Sequence, residues 1–211
     1  MKIAILGATG WIGSTIMSEA LHRQHQVIAI SRDAGNIEQD GVQTHSLDLL
    51  AQGGINEAVA GADVVIAAVG GRAKGNHDMV SHTAKRLLAE LPQAGIKRLI
   101  WVGGAGSLEV APGVKLVTVP EFPAEYKDEA LAQGQALDVF RQSDSVLDWL
   151  FVSPAAEIFP GERSGKYRLG GDQLLMDSEG KSKISVQDYA VALLDQAEKA
   201  EHHNTRIGIA Y

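Results

Sequence analysis

Lys2-Ile3-Ala4-Ile5-Leu6-Gly7-Ala8-Thr9-Gly10-Trp11-Ile12-Gly13 is the stretch whose reading decides the fold. Lys2 to Leu6 is a strand-length apolar run, and an amphipathic stretch, Trp11–Arg23, follows the glycines. Gly7 permits a sharp turn out of the strand. Gly10 removes a side chain where backbone must approach a diphosphate, and Gly13 lets the helix pack close to the sheet. The free N–H groups and the positive end of that helix then face the anion. Three glycines alone say little. Their context carries the inference: a strand before, a helix after and a second strand some twenty residues on.

Working outward, apolar runs of strand length alternate with longer amphipathic stretches. Strands are predicted at Lys2–Leu6, Gln26–Ile30, Val42–His45, Asp63–Ala68, Arg98–Val102 and Leu147–Val152, with Arg206–Tyr211 as a final short one. Several are nearly continuous in Ile, Val, Leu and Ala, as buried parallel strands are. Helical spacing fits Trp11–Arg23, Gly54–Ala60, Asp78–Gln93, Glu125–Gln142 and Val186–Ala200; in the third, Met79, Thr83, Leu87, Leu88 and Leu91 form an apolar stripe. The alternation predicts an α/β, Rossmann-type doubly wound fold. Its sheet is mostly parallel, with helices on both faces, right-handed crossovers and a single domain over 1–211. The pattern frays over 105–120 and 154–183, where four of the six prolines lie. Irregular segments at about 103–124 and 154–183, each after a predicted strand, are the expected substrate side.

The composition narrows the classes. The 211 residues carry 19 basic and 26 acidic side chains, a net charge of −7, and no cysteine. Disulfides, thiolate metal sites and cysteine nucleophiles are excluded. Without a Lys/Arg cluster the chain is not expected to bind nucleic acid. No run reaches the ~18 apolar residues of a membrane span and no signal-type segment is seen, so no membrane partner and a cytoplasmic location are expected. His77 and His82 are five apart, unsuited to sharing a metal on one helix face, and no metal is expected.

The tip of the second strand bears on the cofactor. NAD-preferring folds place an acid there, on the ribose 2′-OH. Here Ser31 and Arg32 hold the tip, and Arg pairs well with a 2′-phosphate, which predicts NADP as cofactor, NADPH preferred and NADH possible. Asp33, next along, could reach the ribose instead, and Arg32 could be a solvated charge. Asp48 and Leu49 follow the third strand, either at the adenine edge or with Asp48 capping the next helix. Small residues at the fourth tip, Ala68, Val69 and Gly70, let backbone approach a cofactor or only serve the turn. Trp101 and Trp149 read as core. Tyr126-Lys127 reads as a surface pair or a pocket wall, and Ser107 as a loop serine or a hydrogen-bond donor.

The Gly7–Gly13 motif, Arg32 and Val102-Gly103-Gly104 resemble the atypical short-chain dehydrogenase/reductase superfamily. Gly103–Ser107, Asp148-Trp149 through Ser153-Pro154, Pro160–Gly165 and Ile184–Ala190 resemble, more narrowly, its bacterial NADH-flavin reductases and the flavin/biliverdin reductase B group. The resemblance covers essentially the whole chain. It implies that Gly7, Thr9, Gly10, Trp11, Ile12 and Gly13 meet the diphosphate, Arg32 the adenosine phosphate, and Ala68, Val69 and Gly70 the adenosine–ribose side. Gly103, Gly104 and the Ser153-Pro154-Ala155 turn would border the nicotinamide. One departure matters. The superfamily's main branch uses Tyr-x-x-x-Lys as proton donor, but the residues four after Tyr126, Tyr167 and Tyr189 are Ala130, Gly171 and Leu193. Alkoxide formation needs a placed acid. Hydride transfer to a flavin nitrogen does not, because the reduced ring delocalises the charge and water can protonate it. The expected activity is therefore an NAD(P)H-dependent reductase passing hydride to a flavin-like or quinone-like small molecule, with no catalytic residue assigned and the oligomeric state open. The competing readings are a non-catalytic, NmrA-like redox sensor and a nucleotide-sugar epimerase or dehydratase.

Overall fold

A computed structural model of the chain describes residues 1–37, 39–72 and 75–211. The strands are β1 (Lys2–Leu6), β2 (Gln26–Ser31), β3 (Val42–Ser46), β4 (Val64–Ala67), β5 (Arg98–Val102), β6 (Glu109–Ala111), β7 (Val114–Lys115), β8 (Asp148–Ser153), β9 (Glu157–Phe159), β10 (Arg168–Gly170), β11 (Lys183–Ser185) and β12 (Thr205–Ala210). The helices are α1 (Trp11–His22), α2 (Ile55–Ala58), α3 (Asp78–Gln93), α4 (Ala124–Gln142) and α5 (Val186–Lys199). Eight strands form one sheet in the order β3-β2-β1-β4-β5-β8-β12-β10; the first seven run parallel and β10 runs antiparallel. The chain thus winds outward from β1 in both directions. It reverses between β1 and β4, which opens a crevice at the carboxyl ends of the strands.

Side-chain alternation on the strands divides the core in two. Ala4, Leu6, Ile28, Ile30, Val65 and Ala67 face α3 and α4, where Leu87, Leu91 and Phe140 cover them. Ile3, Ile5, Val27, Ala29, Val64 and Ile66 face α1 and α5, where Ile16, Ala20 and Leu193 cover them. Trp101 and Trp149 are core residues: Phe140 packs edge-on to Trp101 at 5.3 Å and tilted against Trp149 at 5.4 Å between ring centres. In the α3 stripe Met79 is only partly buried, and Val80 holds the core position instead. No helix among the described residues is long and apolar enough to cross a membrane.

The two irregular segments contain more order than their sequence shows. β6 and β7 form a small hairpin in the first, and β9, β10 and β11 lie in or at the end of the second. Strands of two or three residues are too short to display alternation, and β10 joins the main sheet only by pairing with β12.

Within the second segment, Ser164 and Gly165 are clasped to the start of α5. Ser185 caps that helix by accepting from the Asp188 N–H at 3.0 Å. The buried Asp188 carboxylate accepts from Ser164 Oγ (2.6 Å), Gly165 N (2.7 Å) and Tyr211 OH (2.7 Å). Burial alone would raise its pKa, but these donors outweigh that and hold it below the ordinary value of 3.8. A depressed carboxyl stabilises the fold above that value, and the stabilisation is lost as pH falls through the folded-state pKa. Asp188→Ala is expected to cost at least about 1.5–3 kcal/mol, one charged hydrogen bond's worth. In thermal unfolding across a pH series, the gap between wild type and variant should shrink below about pH 3.8.

Candidate functional site

The sheet register brings the predicted positions to one edge. Leu6 pairs with Ile30 on one side and Ala67 on the other, Ala67 with Trp101, and Val102 with Val152. Gly7, Ser31, Ala68, Gly103 and Pro154 therefore emerge together at the carboxyl ends of five neighbouring strands.

At β1 the backbone is packed to the limit. Gly7 has φ +81°, and a Cβ there would lie 2.1 Å from the Ala68 carbonyl oxygen. A Cβ on Gly13 would lie 2.1 Å from the Gly7 carbonyl oxygen. Gly10 meets only that same oxygen, at 3.3 Å, and is otherwise open. Gly10 is also the N-cap of α1 and has no side chain to offer the helix. Within the described residues, the Ile12 and Gly13 N–H groups find no acceptor, and the first turn carries no acid. Uncapped amides, an open glycine and a helix dipole free of negative side chains together fit a bound diphosphate. Thr9 is exposed, Ile12 leans on the α1–α5 core, and Trp11 is half exposed beside the turn.

At β2 the Ser31 side chain is buried, yet among the described residues its Oγ has no partner. A buried hydroxyl without a partner is costly unless a ligand or water completes it. Arg32 is exposed at the same tip. Of the two readings of Asp48, the helix cap is not what the structure shows. Its Oδ1 accepts from the Leu50 N–H at 3.0 Å, closing an Asx turn, while α2 starts after Gly54. Asp48 thus caps no helix. Leu49 turns its side chain into the core and gives its carbonyl to Arg86 at 3.0 Å.

On the other side of β1, the β4 tip is fastened to α4. The Glu129 carboxylate accepts from Gly71 N (2.9 Å), His77 Nδ1 (3.0 Å) and Gln133 Nε2 (3.2 Å). Gln133 also donates to the Val69 carbonyl at 3.1 Å and accepts from Trp101 Nε1 at 2.9 Å. Arg72 stacks over the Tyr126 ring, 4.6 Å from its centre. None of Glu129, His77, Gln133 or Arg72 was singled out from sequence as a site residue. Gln133 carried a readable signal, a polar residue inside the buried stripe Ala132, Ala136, Leu137 and Phe140. His77 and Glu129, 52 residues apart, carried none.

At β5 and β8, Gly103 donates to the Val152 carbonyl at 2.9 Å. A Cβ on Gly103 would lie 2.0 Å from the Phe151 ring, so packing alone requires this glycine. Gly104 lies against Gln133, and Pro154 is buried. Ser107 is a loop serine with an unusual neighbour. The buried Arg206 guanidinium donates to Ser107 Oγ (3.2 Å), Ser153 Oγ (3.4 Å) and the Asp172 carboxylate. Burial lowers the Arg206 pKa and Asp172 opposes the shift. Backbone bonds from Glu109 N to Asp172 O and from Leu174 N to Glu109 O, both 2.8 Å, join the two irregular segments.

A family model described as NAD(P)H-binding matches residues 7–197. The uncharacterized protein YwnB of Bacillus subtilis is 39% identical over 99% of this chain and 98% of its own length. A solved structure from Burkholderia pseudomallei, described as a "putative exported protein", is 44% identical, with a TM-score of 0.90 and complete coverage of both chains. A Streptococcus pneumoniae structure, described as a "putative NADH-flavin reductase", is 34% identical, with a TM-score of 0.84 over 100% of this chain and 99% of that one.

The glycine turn supplies a test of its own packing. Gly13→Ala must push α1 away from the Gly7 carbonyl. The expected cost is about 1–3 kcal/mol, roughly 2–12 °C in the calorimetric midpoint for a chain of this size.

Proposed function

Since the chain belongs to the NAD(P)H-binding family, we propose that it is an NAD(P)H-dependent oxidoreductase that reduces a flavin-like or quinone-like small molecule. The observation that carries this reading is the uncapped, acid-free N-terminus of α1 beside the open Gly10. Backbone N–H groups of the Gly7–Gly13 turn hold the diphosphate, with Thr9, Trp11 and Ile12 around it. Ser31 and Arg32 hold the adenosine phosphate, the first through its partnerless hydroxyl and the second through its fork of N–H donors. Asp48 and Leu49 offer backbone at the adenine edge. Ala68, Val69 and Gly70 line the ribose, and Gly103, Gly104 and Pro154 border the ring that reacts. When bound, the reduced nicotinamide supplies a hydride. The protein's part is to orient the ring and present an apolar slot, built from the segments at 103–124 and 154–183. The name of the Streptococcus pneumoniae relative supports this class of acceptor. Reduced nicotinamide dinucleotides are regenerated in the cytoplasm, and the proposal places the protein there.

NADPH oxidation with FMN, FAD and a quinone as acceptors tests the reading. Turnover with at least one is expected. Tight dinucleotide binding without turnover would instead favour a non-catalytic sensor. Arg32→Ala is expected to raise the NADPH KM about tenfold or more, the ~1.4 kcal/mol of a lost charged contact, and to leave the NADH KM nearly unchanged. Equal effects would refute the NADPH preference.

A further inference from the structure

We propose, building on the reductase reading above, that His77 oriented by Glu129 is the proton donor of the reaction, and that the favoured acceptor is quinone-like. The chain lacks the Tyr-x-x-x-Lys donor, and this pair lies on the side of the glycine turn toward which the reacting half extends. Ser31 and Arg32 assign the adenosine half of the dinucleotide to the β2 side of the glycine turn. The diphosphate is seated at β1. The reacting half then extends the opposite way, past the β4 tip that lines the ribose and on to β5. His77 and Glu129 stand on that path, at the β4 tip. The Glu129 carboxylate lies 2.8 Å from where a Gly70 Cβ would be, and the His77 Cα lies 2.7 Å from where a Gly71 Cβ would be.

The chemistry of the pair fits. Glu129 accepts a hydrogen bond from His77 Nδ1–H at 3.0 Å, which fixes the ring and leaves Nε2 as the nitrogen for a ligand. Among the described residues Nε2 has no partner. The imidazole is 28% exposed and the carboxylate 17%, enough to reach a ligand while remaining oriented. Gln133 and the Gly71 N–H hold the carboxylate in turn. Among the described residues, Arg72 precedes α3 and stacks on Tyr126 of α4, and Asp78 stands in the first turn of α3.

The balance is complete. Two electrons and one hydrogen leave the dihydronicotinamide as hydride, so the nicotinamide is oxidised and the quinone reduced. The resulting hydroquinone anion carries its charge on a single oxygen. His77 acts as the imidazolium, with Nδ1–H on Glu129 and a second proton on Nε2; it transfers the Nε2 proton to that oxygen, is left as the neutral Nδ1–H ring, and recovers a proton at Nε2 from solvent. A flavin spreads the same charge over its rings and gains less from a placed acid, which is why the pair points to a quinone.

The test compares wild type, His77→Gln, His77→Ala and Glu129→Gln with NADPH and either a soluble benzoquinone or FMN. His77→Gln is expected to lower kcat with benzoquinone about a hundredfold, in the range of a lost general acid, with the NADPH KM moved by no more than about twofold. The FMN rate should fall far less. Added imidazole should restore part of the His77→Ala rate. Glu129→Gln keeps an acceptor for the Gly71 N–H but cannot support an imidazolium, so it should follow His77→Gln. Independently of turnover, ¹⁵N shifts of His77 in the ligand-free protein should show a protonated Nδ1, and Glu129→Gln should change that pattern. A benzoquinone kcat in His77→Gln within about twofold of wild type, no rescue by imidazole, or a ring protonated only at Nε2 would each overturn the donor while leaving the reductase reading intact. A wild-type protein that binds NADPH but reduces no acceptor would overturn both.

Discussion

Three backbone segments approach within the reach of a single methyl group at the end of β1, and the rest of the molecule is arranged around that approach. The Gly7 carbonyl sits beneath Gly13, and the Ala68 carbonyl sits against Gly7. Neither contact tolerates a side chain. The result is a helix whose first amides are delivered to the edge of the sheet without a cap, at the point where the strand order reverses. Everything else that bears on function is placed relative to this point by register: Ser31 one strand to one side, Gly70 and Gly71 one strand to the other.

Much of this is legible in sequence because it rests on local rules. β1 and β5 end where their apolar runs end, and α3 spans the residues its spacing indicates. The glycine spacing reports a steric requirement that no other residue meets, so it can be read without coordinates. Gly103 shows the limit of such reading: the same residue type at a strand tip is required there by the Phe151 ring, a partner 48 positions away. Asp48 shows another limit, since an aspartate before a turn can close an Asx turn as readily as it caps a helix. The Glu129–His77 pair and the Arg206 cluster join residues from distant parts of the chain, and only the closed fold brings them together.

The polar groups inside the α3–α4 face follow one logic. Trp101 brings an indole N–H into the core, and Gln133 answers it; Gln133 then has an amide to satisfy, which Val69 and Glu129 accept. A buried hydrogen bond made at one place obliges another next to it. The chain of obligations runs from the middle of the sheet out to the β4 tip. The loop that faces the crevice is thereby held by the same bonds that complete the core.

The borders of the main sheet have a bearing on how the protein behaves at high concentration. One border is β10, three residues long, running against its neighbour and ending in glycine; the other is β3, written Val-Gln-Thr-His-Ser. Neither offers a long, flat, apolar row of unpaired amides to a stranger chain. Fibril-type stacking of one molecule on the next finds no template at either side, so a protein built on an open eight-stranded ribbon can stay dispersed without closing that ribbon into a barrel.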